Sequence, residues 1–102
     1  MHQLIEAELT EVAALCRRYG ARRLELLGSA TRRDFDLATS DIDLLVDLDP
    51  PPGLGYADAY FGLKEELEKL FARPVDLVSR AAVRNPYFRR EIESSRRLLY
   101  AA

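Results

Sequence analysis

Cys16 is the only cysteine and His2 the only histidine, which leaves little material for several common chemistries. A single thiol excludes an internal disulfide and a cysteine-based zinc cluster. A lone histidine beside the terminus argues against acid–base catalysis by that residue. No apolar run reaches membrane-spanning length and no signal-peptide core is present, which predicts a cytoplasmic protein. Charge of one sign is also missing: 15 basic against 17 acidic residues leave a net charge of −2, with no overall drive towards nucleic acid or an anionic membrane. There is no P-loop pattern G-x-x-x-x-G-K-[ST], no internal repeat, and no low-complexity stretch beyond Pro50, Pro51 and Pro52. The 102 residues fit one compact domain over 1–102, able to bury somewhat more than half of its unfolded surface.

What is present is a regular alternation of helix and strand signals. Ile5, Leu9, Val12, Cys16 and Tyr19 recur at helical spacing and predict an amphipathic helix over 3–19, with Gly20 placed to end it and Cys16 as a core thiol. An apolar strand over 23–27 follows, then a polar segment that could open a short helix, then a strand over 41–48. The proline run, with Gly53 and Gly55, makes a turn. Tyr60, Leu63, Leu67, Leu70 and Phe71 mark a second helix over 58–71, with Glu65 and Lys69 as an exposed i,i+4 pair, and Pro74 stops it before a strand over 75–78. Asn85 and Pro86 form an N-cap and first-turn pair opening a helix to about 95, with Phe88, Ile92 and Leu99 available to the core. A short strand over 98–100 ends the chain. Arg89, Arg90, Arg96 and Arg97 read as a solvated face or a protein-facing one.

The most informative stretch is 26–49, LLGSATRRDFDLATSDIDLLVDLD. Ile42, Leu44, Val46 and Leu48 alternate with Asp41, Asp43, Leu45, Asp47 and Asp49, the period of a half-buried strand with its carboxylates on one face. An ordinary strand with an acidic solvent face would show the same pattern. Aspartate, however, is depleted in strands, so four on one face run against propensity. Two like charges about 4 Å apart repel by about 4 kcal/mol at an effective dielectric near 20, so a clustered pair recruits a cation or holds a proton. Mg²⁺, which takes one or two carboxylates together with substrate phosphates, is the simplest resolution. The Gly28-Ser29 turn just upstream suits such a substrate. Glycine permits close backbone approach, free N–H groups can face phosphate oxygens, Ser29 adds a hydroxyl, and Arg32 and Arg33 follow.

Gly28, Ser29, Arg32, Ser40, Asp41 and Asp43, with the apolar strand to Val46, resemble the signature of the DNA polymerase β-like nucleotidyltransferase superfamily. The chain is similar to its minimal members, the MNT domains paired with HEPN proteins in toxin–antitoxin modules. The motif-bearing part runs over 24–78, and the resemblance departs at Arg33, where many relatives have glycine. It implies an α+β, two-layer fold, a small mixed sheet packed against helices. It also implies a third carboxylate on a neighbouring strand, which PVDLV supplies as Asp76; a plain surface aspartate is the competing reading there.

The activity implied is Mg²⁺-dependent nucleotidyl transfer. The phosphates of ATP would lie against Gly28, Ser29, Arg32 and Ser40, and Asp41, Asp43 and Asp76 would hold two Mg²⁺ ions for an in-line displacement, with Asp76 as general base. The acceptor implied by the resemblance is a tyrosine hydroxyl of a cognate HEPN toxin, joined to this chain in a hetero-oligomer and silenced by the added AMP. Direct nucleic-acid binding and membrane association are not expected. Two other readings fit the same residues: an inactive antitoxin that masks its partner by contact through Tyr87, Phe88 and the C-terminal arginines, and a small-molecule adenylyltransferase, for which no substrate domain is apparent.

Overall fold

A computed structural model describes residues 3–27, 41–82 and 96–102. In chain order these form α1 (Gln3–Ala7), α2 (Leu9–Tyr19), β1 (Ala21–Leu27), β2 (Ile42–Leu48), α3 (Tyr56–Phe71), β3 (Val75–Ser79), a 3-10 turn (Arg80–Ala82) and β4 (Arg96–Ala101). The sheet has the order β3-β2-β1-β4. β1 runs antiparallel to both β2 and β4, whereas β2 and β3 are parallel and joined by the crossover through α3. This is the mixed, two-layer α+β architecture expected. The helix expected over 85–95 and a helix after Ser29 lie outside the described residues, as do Phe88, Ile92, Arg89 and Arg90.

One face of the sheet meets the helices. Ile5, Val12 and Cys16 from the first two helices, Leu24 and Leu26 from β1, Ile42, Leu44 and Val46 from β2, and Leu63 and Leu67 from α3 are all fully buried there. At about 25 cal/mol per Å² of apolar surface, this layer supplies the main stabilisation. Burial pushes the Cys16 thiol up to about 12, against a small opposing effect of Arg17, so it stays protonated and acts as a small core hydrophobe. α2 and α3 pack closely where Gly62 faces the ring of Tyr19. A Cβ at residue 62 would lie 2.6 Å from that ring.

The helix expected over 3–19 is interrupted at Glu8, whose φ of −106° and ψ of 9° leave the helical region. The Glu8 N–H reaches back only three residues, to Ile5 O, and the helix restarts with Val12 N–H on Glu8 O. A hydrophobic period survives such a break, which is why spacing alone did not locate it. Two strands are longer than their apolar cores suggest, since Ala21 and Arg22 join β1 and Arg96, Arg97 and Ala101 join β4.

Gly20 ends α2 in the left-handed region (φ 81°), its N–H on Cys16 O, and its carbonyl accepts the Asp49 N–H at 2.8 Å. A Cβ there would stand 2.4 Å from Asp49 O. Gly20→Ala combines a left-handed residue, about 1–2 kcal/mol, with a clash against backbone that has no rotamer to escape by. The expected result is a loss of at least about 2 kcal/mol in urea unfolding and a fall in Tm of roughly 10 °C.

Candidate active site

The second face of the sheet carries the carboxylates. Along β2, Ile42, Leu44, Val46 and Leu48 point into the core, while Asp43 and Asp47 are half-buried on the opposite side. β3 repeats the alternation: Val75 and Leu77 are buried and Asp76 is exposed. In the parallel β2–β3 ladder, Ile42 pairs with Val75, Asp43 with Asp76, and Leu45 with Val78. Adjacent strands lie about 4.8 Å apart, so Asp43 and Asp76 are direct cross-strand neighbours on one face. Asp41, exposed, sits at the entry to β2. The chain leaves β1 at Leu27 beside the same end of β2, because Leu26 pairs with Leu44. Gly28, Ser29, Arg32, Arg33 and Ser40 follow there in sequence and lie outside the described residues.

The electrostatics agree with this crowding. Partial burial raises the Asp43 carboxyl above its ordinary range, and the neighbouring charges of Asp76 and then Asp41 push it further the same way. The three groups offer only hard oxygen donors, the type Mg²⁺ prefers, and carry negative charge that a bound cation would relieve. Among the described residues, no three His, Cys, Asp or Glu side chains are drawn in around one point. The fit to a divalent ion therefore rests on donor chemistry and charge.

A second carboxylate on this face has the opposite surroundings. Glu25, in the middle of β1, is only 2% exposed, yet it touches guanidinium groups from three separate segments. Arg23 Nε lies 3.0 Å and Arg80 Nη1 3.5 Å from its Oε1, and Arg96 Nε lies 3.2 Å from its Oε2. Arg96 is thus exposed, as its sequence context suggests, and also paired with a buried carboxylate. Leu27 and Leu45, both buried, pack with Val78 beside this cluster. Glu25 was not anticipated as a buried hub, although the alternation Arg23-Leu24-Glu25-Leu26 already sets it on the face away from the helices.

These two carboxylates should respond oppositely to neutralisation. A carboxyl whose folded pKa is raised favours the folded state below the unfolded value near 3.9, and that contribution falls as pH rises through the folded pKa. Asp43→Asn without divalent ions should raise Tm by a few degrees at neutral pH, and by less at pH 4. Glu25→Ala strips three guanidiniums of their shared partner. It should cost about 3 kcal/mol in urea unfolding, the low end for a broken buried pair because the arginines keep some water.

Comparison with known proteins bears on the family and the fold. Residues 12–99 match the family described as "Nucleotidyltransferase domain". Two Methanocaldococcus jannaschii proteins named "Putative protein adenylyltransferase", MJ1379 and MJ0128, are 33% and 34% identical over 76 residues, 74% of this chain and 74% of each relative. A solved structure described as a "putative minimal nucleotidyltransferase" superposes with a TM-score of 0.73 at 32% identity, covering 91% of this chain and 90% of its own. The fold also recurs, at 18% identity and a TM-score of 0.64, in a tri-AMPylated Shewanella oneidensis HEPN toxin in complex with MNT antitoxin, over 96% of this chain and 73% of that one. The chain belongs to the nucleotidyltransferase domain family, as one of its minimal members.

Proposed function

We propose that this chain is a single minimal domain that transfers AMP from ATP to a tyrosine hydroxyl of a HEPN-type toxin, with Mg²⁺, and so neutralises it. The observation that carries the reading is the pairing of Asp43 with Asp76 across parallel strands, with Asp41 at the strand entry. It is supported by the names of the two archaeal relatives, which are those of protein adenylyltransferases. A modified toxin beside an antitoxin of the same fold, and another toxin–antitoxin structure with AMP-PNP, point to the same substrate and partner.

In this reading Asp41, Asp43 and Asp76 hold the divalent ions. Bound Mg²⁺ supplies charge neutralisation for the triphosphate and the departing pyrophosphate. Gly28, Ser29, Arg32 and Ser40 bind and orient the phosphates through backbone N–H, hydroxyl and guanidinium donors. The acceptor oxygen forms a bond to the α-phosphorus, the bond to the bridging oxygen breaks, and pyrophosphate leaves with that electron pair. Asp76, exposed at the edge of the pair, accepts the hydroxyl proton as general base. Its place on the outer strand leaves it open to an acceptor presented by another protein.

The test is the intact mass of the co-purified partner after incubation with the chain, Mg²⁺ and each nucleoside triphosphate in turn. Whole AMP units should appear with ATP and disappear in Asp41→Asn and Asp43→Asn, while the complex itself persists. A tight complex that neutralises the toxin with no change in mass would replace this reading by masking through contact. Whole-nucleotide addition to a small molecule but not to the partner would point to the small-molecule transferase.

A further inference from the structure

The outer side of β3 pairs with no strand among the described residues, yet two of its main-chain groups are satisfied by side chains of one helix. The Ile42 N–H donates to Pro74 O at 3.1 Å. In a parallel ladder this turns the N–H and C=O of Val75 away from β2, and those of Leu77 and Ser79 likewise, by alternation. Those outward groups meet a row on α3. Glu68 Oε2 accepts the Val75 N–H at 3.0 Å, the Tyr60 hydroxyl donates to Leu77 O, and the Tyr56 hydroxyl bonds Ser79 Oγ. Residues 56, 60, 64 and 68 lie at i, i+4 spacing, so they form one stripe, next to the buried stripe of Ala59, Leu63, Leu67 and Phe71. The helix therefore grips β3 from the side where a further strand would pair.

Glu68 holds more than the strand. Its main-chain carbonyl accepts the N–H groups of both Ala72 and Arg73, the latter at 3.3 Å. With the Val75 bond, one residue takes three N–H groups from the connection that leads to Asp76. That connection passes through a left-handed alanine, Ala72 at φ 55°, a conformation costing about 1–2 kcal/mol that persists only when its surroundings impose it. From the sheet side the same segment is held by the bond from Ile42 to Pro74. Val75 immediately precedes Asp76 and Ile42 immediately precedes Asp43. The two grips therefore act one residue from each member of the carboxylate pair.

We infer that Glu68, assisted by Tyr60, is a positioning residue for nucleotidyl transfer: by fixing the main chain at Val75 and Leu77 it sets where the Asp76 carboxylate stands relative to Asp43. Glu68 touches neither substrate nor ion; it acts through the strand. Among the described residues β3 stands at the edge of the sheet, where β2 alone fixes it from within the sheet and the helix side chains supply the rest. A strand free to shift by a fraction of a residue would move Asp76 while leaving Asp43 in place. Misplacement of a reacting group by about 1 Å can cost roughly a hundredfold in rate. An acceptor oxygen is what the Val75 N–H requires, and glutamine supplies one as well as glutamate does.

The inference rests on the transferase reading and has a test that separates the two. Transfer of AMP to the partner is followed against Mg²⁺ concentration for the unsubstituted chain, Glu68→Gln and Glu68→Ala, with exchange of the Val75 amide hydrogen measured by NMR. Glu68→Gln should stay within about twofold of the parent in every parameter. Glu68→Ala should lose roughly ten- to a hundredfold in kcat, need severalfold more Mg²⁺ for half-maximal rate, leave KM for ATP within about twofold, and exchange the Val75 amide faster. Parental rate and Mg²⁺ requirement in Glu68→Ala, or equal damage in Glu68→Gln, would overturn the inference. If Glu68→Ala does not fold, Tyr60→Phe, which deletes only the bond to Leu77 O, should move the same quantities in the same direction by less, and no movement overturns it. If the unsubstituted chain transfers nothing, the transferase reading fails on its own. Mn²⁺ titration, read by broadening of the amide signals of Asp43 and Asp76, then decides the positioning: a midpoint raised only in Glu68→Ala supports it, and equal midpoints overturn it.

Discussion

The register of β2 against β3 is the constraint on which the site depends. Both strands alternate, and they run parallel, so Ile42 meets Val75, Leu44 meets Leu77 and Asp43 meets Asp76. A slip of β2 by one residue would turn Asp43 in among the helices and expose Ile42, Leu44 and Val46 together. The apolar layer therefore selects the register that brings the charges together. Ile42, Leu44, Val75 and Leu77 are nearly inaccessible, and their packing holds Asp43 where partial burial, and then the charges of Asp76 and Asp41, raise its carboxyl. Here the core holds together a local electrostatic conflict between like charges, of the kind that a cation would relieve.

The face opposite the helices shows a contrast between two of its acids, buried Glu25 and half-buried Asp43. At Glu25 three guanidiniums surround one carboxylate, and the cluster ties β1 to β4 and to the turn after β3. At Asp43 the nearest charges that matter are other carboxylates. The first arrangement balances its charge, and the second does not. Leu27, Leu45 and Val78 lie between these regions and fill that part of the face with hydrocarbon. A charged site beside a closed ionic cluster keeps its unbalanced charge only when the arginines are already engaged, and Glu25 engages all three.

Much of this was legible in the sequence because it depends on period. The alternation in SDIDLLVDLD fixed the facing of Asp43 and Asp47, and that of PVDLV fixed the facing of Asp76, so their shared side followed once the strands were parallel neighbours. The second helix and its Glu65–Lys69 pair, at 3.6 Å, followed from 3.6-residue spacing. What escaped was contact between distant segments. Glu25 reads as a solvent residue in an apolar strand until Arg80 and Arg96, 55 and 71 positions later, are brought to it. The break at Glu8 left no compositional mark, since it keeps Ile5 and Val12 on the core side. The phosphate-binding half of the motif, Gly28 to Ser40, lies outside the described residues, and its part in the site remains an expectation drawn from residue types.

Tyr56, Tyr60 and Glu68 show how a strand with one paired side can be held in place. Exposed edges are liabilities, because unpaired N–H and C=O groups invite other strands and hold the chain loosely. β3 is such an edge among the described residues, and it has to remain open near Asp76 if an acceptor on another protein is to reach the site. Another strand on that side would fix Asp76 and also block it. Side chains from α3 meet both demands: they occupy the outward Val75 N–H and Leu77 C=O one bond at a time, from the helix layer, without covering the face where Asp76 stands exposed. Precision at the carboxylate pair and access to it are thus compatible because the groups that secure β3 come from the helix that leads into it.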